Sequence, residues 1–184
     1  MSREVLVTER LVLRELTEAD AEFVHALVND PDWVRFIGPR NAATVELARQ
    51  YLASAYLPMY AKHGYGLWGV ARRDDPALLG VCGLIRRDTL DAPDVGFAFL
   101  PSARGAGFAR EATAACLAHG HKQLGMPRIL AICTQDNARS RAVLERSGMR
   151  FERLLPPDAS GVELCLYASG EAERPPVAPG PAPR

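Results

Sequence analysis

The stretch Pro101-Ser102-Ala103-Arg104-Gly105-Ala106-Gly107-Phe108-Ala109-Arg110-Glu111-Ala112 places two glycines between an apolar run and an alanine-rich segment. At a helix start the backbone N–H groups lack intrahelical acceptors, and the helix dipole favours negative charge there. A glycine turn feeding such a start has the chemistry of a phosphate cradle. Gly105 and Gly107 permit positive φ and close approach of a ligand to the backbone, and Arg104 adds a cation. A tight turn that needs glycine only for its geometry is the competing reading. The Walker pattern is excluded because no Gly-Lys-Ser/Thr is present. The dinucleotide pattern started at Gly105 ends on Arg110 and has no acid about 20 residues on. What fits is Arg-x-x-Gly-x-Ala, formed by Arg104, Gly107 and Ala109. Two other residue sets with chemical potential carry less. His119 and His121 stand two apart on an expected helix, so they point to different faces, read as solvated and call for no metal. Cys82, Cys116, Cys133 and Cys165 lie among apolar residues without CxxC spacing, as buried free thiols do.

The elements that must position the loop follow from periodicity. Leu11-Val12-Leu13 reads as a strand. Thr17 to Asp20 then offers a capped start for a helix carrying Phe23, Val24, Leu27 and Val28, stopped at Asn29-Asp30-Pro31. An aromatic loop with Trp33 and Phe36 precedes a second helix from Thr44 to about Tyr60, which Pro58 should kink or end. Three short apolar runs, 67–71, 79–85 and 95–100, separated by turn residues, predict a meander of strands. Ala109, Ala112, Cys116, Leu117, Gly120 and Leu124 share one helical face, and Ile129 to Thr134 follows as a strand, giving a strand–helix–strand unit with parallel strands. A short helix over Asp136 to Arg146, stopped by Gly148, and strands at 149–155 and 162–167 complete an α+β arrangement of helices on a mixed sheet.

Lysine plus arginine equal aspartate plus glutamate at 22 each, so no basic stripe points to nucleic acid or an anionic membrane. No run approaches the roughly 18 apolar residues of a membrane span, and the N-terminus lacks a cleavable signal pattern, which predicts a cytoplasmic protein. After Ala168 the chain turns to proline, alanine and charge, so residues 1–168 are expected to fold as one domain and 169–184 to form a disordered tail.

The loop resembles the acetyl-coenzyme A pyrophosphate loop of the GNAT superfamily of N-acetyltransferases. Thr8-Glu9-Arg10-Leu11-Val12-Leu13-Arg14 is similar to the first strand of its RimJ/RimL branch, and Gly105 to Ala112 to that branch's "GKGYATEA" segment. Asp136 to Met149 resembles "DNxxSxxVLEKxGF", with Ser147 and Met149 departing conservatively. The resemblance spans residues 8–168 and implies a mostly antiparallel sheet of about seven strands, with a central splayed parallel pair and about four helices on its faces. It also implies acetyl-CoA as cosubstrate: pantetheine along Phe97, Ala98, Phe99 and Leu100, phosphates on Arg104, Gly105, Ala106, Gly107, Phe108 and Ala109, and the cofactor arm held by Asn137.

For such a reaction an acceptor amine must lose a proton, because its pKa lies above neutrality. Asp94, just before Val95-Gly96, stands where many relatives carry an acid and is the candidate base. Being shorter than glutamate, it suggests a bridging water. Many relatives place a tyrosine acid seven residues after the asparagine; here Leu144 stands there, and Ser140 is the replacement candidate for helping the thiolate leave. Trp33, Phe36, Tyr65 and Trp68 are candidates for the acceptor pocket. The expected reaction is direct acetyl transfer in a ternary complex to a small-molecule amine or a protein N-terminus, with no nucleic acid or membrane partner. An exposed sheet edge could pair two subunits. A non-catalytic acyl-CoA-binding domain is the alternative from another class, and a nucleotide-binding oxidoreductase is disfavoured by the failed glycine patterns.

Overall fold

In a computed structural model the described residues are 2–157 and 161–170. Eight strands form one sheet in the order β1-β2-β3-β4-β5-β6-β8-β7. They are β1 (Glu4–Val7), β2 (Leu11–Arg14), β3 (Leu67–Arg72), β4 (Asp75–Ile85), β5 (Asp94–Phe99), β6 (Arg128–Thr134), β7 (Arg150–Leu154) and β8 (Leu164–Gly170). Every neighbouring pair is antiparallel except β5 and β6. One strand thus exceeds expectation: β1, four residues at the edge, which carries the short apolar run Val5-Leu6-Val7. β8 runs to Gly170, two residues past the expected boundary, and the rest of the expected tail, 171–184, lies outside the described residues.

The helices are α1 (Ala21–Val28), α2 (Pro31–Phe36), α3 (Val45–Tyr51), α4 (Leu57–His63), α5 (Phe108–Lys122) and α6 (Ala138–Arg146). The expected aromatic loop after α1 is a helix instead. Asp30 caps α2, its side chain accepting from Asp32 N–H, and Pro31 occupies a first-turn position where a missing N–H costs nothing. The residues that stop α1 therefore also start α2. Pro58 does not end its segment. A wider π-type turn over Leu52–Tyr56 joins α3 to α4, so proline falls in the first turn of a new helix.

Strand alternation divides the core by sheet face. Trp68, Val70, Cys82, Leu84, Val95 and Phe99 pack with Ala112, Cys116 and Leu117 of α5 and Leu144 of α6. Val81, with Leu67, Ala98 and Leu100 against it, packs with Val24, Leu27, Trp33, Leu52 and Tyr56 on the face covered by α1 to α4. A smaller cluster joins Leu90, from the β4–β5 connection, to Leu130, Leu166 and Ala168. The four cysteines are free and buried. The histidines of α5 are not solvated as expected. His119 meets Trp68 edge-on at 5.7 Å, and His121 bonds Met126 O at 2.7 Å and Ser169 Oγ at 3.0 Å, tying the helix end to β8. No helix among the described residues is long and apolar enough to cross a membrane.

Candidate active site

The sheet opens at the only parallel pair among the described residues. β5 and β6 meet at the single register pair Asp94–Leu130, closed by Leu130 N–H on Pro93 O at 2.8 Å, and then diverge. Leu100 N–H donates to Leu79 O of β4, so ladder alternation turns the backbone groups of Phe97 and Phe99 toward the gap. A cleft of about 690 Å³ occupies the opening. Of the four residues expected along the pantetheine, Phe97, Ala98 and Phe99 line it; Leu100 does not. Its N–H and C=O are consumed within the fold by Leu79 and Ala103, and its side chain packs in the core beneath α1 to α4.

At the C-terminal end of β5 the chain passes through a short turn, Pro101–Ala103, into the glycine loop. Gly105 and Gly107 have φ of +82° and +80°, the left-handed conformation expected of them. Glu111 N–H donates to Gly107 O at 3.1 Å, while the N–H groups of residues 105–110 have no backbone acceptor among the described residues. Six donors thus stand at the start of a fifteen-residue helix, beside the cleft.

Arg104 lines the cleft, but its guanidinium is engaged within the fold. Its guanidinium donates to Phe99 O at 3.0 Å, to Asp32 Oδ2 at 2.8 Å and to Asp30 Oδ1, joining α2 to the end of β5. Two carboxylates outcompete open solvent for it, and Asp30 is buried and needs a partner. The loop instead leans on Arg10. Arg10 Nε bonds Glu111 Oε2 at 2.6 Å, Nη1 bonds Ala106 O at 2.9 Å, and the guanidinium lies 4.8 Å from the Phe108 ring centroid. Thr8 Oγ1 donates to Glu111 Oε1 at 2.6 Å, and Arg10 N–H donates to the same oxygen at 2.9 Å. Ala106 thereby serves through its carbonyl as a strut and does not line the cleft. This brace escaped sequence reasoning because Thr8 and Arg10 lie about a hundred residues from Glu111, beyond the reach of any periodicity. Arg110, Arg139 and Arg146 also line the cleft, all with exposed side chains.

At the other end of β5, Asp94 is 1% exposed and accepts from Arg87 Nε through both oxygens, at 3.0 and 3.1 Å. Burial pushes its carboxyl above the usual aspartate range, against the opposing pull of Arg87. Asp94 stands opposite Ile85 in the ladder and alternates with Gly96 and Ala98, so it faces the α1–α4 layer. Trp33 and Phe36 line the cleft on that side, but Tyr65 and Trp68 do not. Strand alternation sends Trp68 to the opposite face, where it is fully buried. Tyr65 stacks on His63 at 5.6 Å just before β3. Asn137 caps α6, its Oδ1 accepting from Ser140 N–H at 3.1 Å, and lines the cleft. Ser140 lines the cleft, and its hydroxyl has no partner among the described residues. Leu144 is buried between α6 and the sheet.

The chain matches the family model described as "Acetyltransferase (GNAT) domain" over residues 10–150. It is 29% identical over 152 residues to the Bacillus subtilis (strain 168) protein described as "Uncharacterized N-acetyltransferase YoaA", covering 82% of this chain and 85% of that one. The crystal structure of a GNAT-family acetyltransferase from Bacillus anthracis superposes with a TM-score of 0.75 at 26% identity, covering 92% and 98% of the two chains. A structure of RimL, a ribosomal L7/L12 alpha-N-protein acetyltransferase, in complex with coenzyme A shares the fold at a TM-score of 0.71 and 17% identity, over 91% and 97%. With a mixed eight-stranded sheet open at one parallel pair and a family model matched over most of its length, this chain belongs to the GNAT acetyltransferase family.

Proposed function

We propose that the protein transfers the acetyl group of acetyl-CoA to a primary amine by direct attack in a ternary complex. The observation that carries this reading is the continuity of three features: the backbone edge of β5 that faces the gap, the splay from β6, and the six unbonded N–H groups of the glycine loop at the mouth. An elongated thioester with a pyrophosphate fits that sequence of donors. Phe97, and Phe99 through its N–H since its carbonyl accepts from Arg104, pair with the amide-bearing arm, residues 105–110 hold the phosphates, and Asn137 offers its amide to the arm. Exposed Arg110 and Arg146 supply positive charge in place of Arg104.

Within that frame Asp94 accepts the amine proton, directly or through a water. Burial raises its affinity for the proton, while Arg87 keeps the carboxylate charged until the proton arrives. Backbone N–H groups of β5 facing the gap stabilise negative charge on the carbonyl oxygen under attack. Ser140, with its hydroxyl uncommitted, donates a hydrogen bond to the departing thiolate. Holding both reactants in one cleft supplies much of the acceleration.

The test is thiol release from acetyl-CoA in the presence of peptides, amino acids, polyamines and aminoglycosides, run alongside CoA binding by calorimetry. Binding with acceptor-dependent release supports the proposal. CoA binding without release to any amine would favour a non-catalytic acyl-CoA-binding domain.

A further inference from the structure

The Asp94–Arg87 pair and its surroundings describe the acceptor more closely. Arg87 bonds Asp94 through Nε alone, so its two terminal nitrogens have no partner among the described residues, and the side chain is 40% exposed at the cleft. A carboxylate and an open guanidinium edge thus stand side by side at the base of β5. Next to them the wall is apolar: Ile85 lies directly across the ladder from Asp94, and Leu67 and Met59 line the same side.

Arginines outnumber carboxylates along the cleft, six to three. The three carboxylates that line the cleft, Asp30, Asp32 and Asp94, each bond arginine. Two of the aromatic faces at the cleft already carry a cation. Arg35 sits 4.7 Å from the Phe36 ring centroid, and Arg40 5.9 Å from that of Trp33. A second ammonium on the acceptor would leave water for an aromatic wall with no unpaired counter-charge.

Resting on the acetyltransferase reading above, we infer that the acceptor is an α-amine bearing an apolar side chain and an adjacent carbonyl or carboxylate oxygen, with no second positive charge. The amine meets Asp94, the neighbouring oxygen takes the free edge of Arg87, and the side chain packs on Ile85, Leu67 and Met59. A free amino acid and a peptide N-terminus share this chemistry.

The experiment compares kcat/KM, referred to the neutral fraction of each amine, for leucine, leucinamide, a leucine-initiated tripeptide, isopentylamine and spermidine. Isopentylamine keeps the amine and the branched body but lacks the carbonyl. The leucine compounds should exceed isopentylamine, and isopentylamine should exceed spermidine, each by on the order of tenfold. Among the leucine compounds, preference for the free acid identifies an amino-acid acceptor and preference for the tripeptide a peptide N-terminus. Arg87→Lys keeps a cation for Asp94 but loses the open edge; it should erase the advantage of leucinamide over isopentylamine, read as the ratio of the two kcat/KM values on the same variant, so that any change in the proton transfer common to both amines cancels. Spermidine or isopentylamine matching the leucine compounds would overturn the inference. So would an Arg87→Lys variant that keeps the full preference. If CoA binds and none of these amines is acetylated, the acceptor assignment falls while the cofactor assignment stands. If CoA does not bind, both fall.

Discussion

Replacing Gly107 separates the two reasons a glycine could stand there. Its φ of +80° is left-handed, and a Cβ would meet only Arg10 Nη2, at 3.4 Å. Gly107→Ala therefore costs backbone strain of about 1–2 kcal/mol and little else. At about 2–4 °C per kcal/mol for a chain of this size, Tm should fall by roughly 2–8 °C. Gly107→Asp costs somewhat less strain, because aspartate visits the left-handed region more readily than alanine. It also sets a carboxylate among donors meant for phosphate. A unit charge about 4 Å from a phosphate charge is opposed by about 1 kcal/mol in bulk water and about 4 kcal/mol near a protein surface. Because the loop is exposed, the lower half of that range applies, and CoA affinity should fall by roughly tenfold to a hundredfold. The two variants should therefore cross. Alanine should be the less stable and the better CoA binder, aspartate the more stable and the worse binder. Thermal unfolding and titration calorimetry with CoA read both quantities on the same samples. A folded Gly107→Asp variant with wild-type CoA affinity would refute the phosphate role of the loop and leave glycine there for turn geometry alone.

Arg104→Ala should act as a stability mutation, because it strips the partner from buried Asp30; a loss of roughly 2 kcal/mol in denaturant unfolding is expected, with CoA affinity changed less than threefold. A CoA defect without a stability defect would return Arg104 to the phosphate site. Glu111 is pushed up by burial but pulled further down by Thr8 and Arg10, so its carboxyl lies below the usual glutamate range. The contribution of the brace is therefore present above the ordinary glutamate pKa and lost as pH falls through the lowered value. Glu111→Gln should cost on the order of 1 kcal/mol near neutrality, after allowance for half-exposed Arg10, with the difference from wild type vanishing in acid. A pH-independent difference would mean that the brace does not act through its charge. Ser140→Ala should slow turnover by roughly tenfold with acetyl-CoA and much less with acyl donors whose thiols leave more easily, while high pH gives no relief. Equal slowing across leaving groups would remove Ser140 from thiolate departure.

The strands of the meander, α5 and the parallel pair were legible because their signals are local. Apolar runs, a helical face from Ala109 to Gly120 and glycine punctuation all act over a few residues. α2 was misread because Asp30-Pro31 serves as both a stop and a start, and the sequence shows only one punctuation mark for the two events. The site divides along the same line. The glycine conformations follow from the loop itself, and they stand as expected. The fate of each arginine does not. Arg104 was assigned by its neighbours in sequence, yet its partners come from α2, some seventy residues earlier, and Arg10 reaches the loop from across the sheet. Trp68 illustrates the same limit, since one residue of strand register decides whether an aromatic side chain faces the cleft or the core.

The account turns on Asp94 taking a proton from an amine held beside acetyl-CoA. The measurement that bears on it most directly is acetyl-CoA-dependent thiol release by the wild-type protein and by Asp94→Asn, from about pH 6 to 9, with CoA affinity determined on both. The account predicts unchanged CoA affinity and a kcat lowered by roughly a hundredfold at neutral pH. The deficit should shrink as pH rises, because a growing fraction of the amine is then already neutral. An Asp94→Asn protein that turns over like wild type across that range would contradict it.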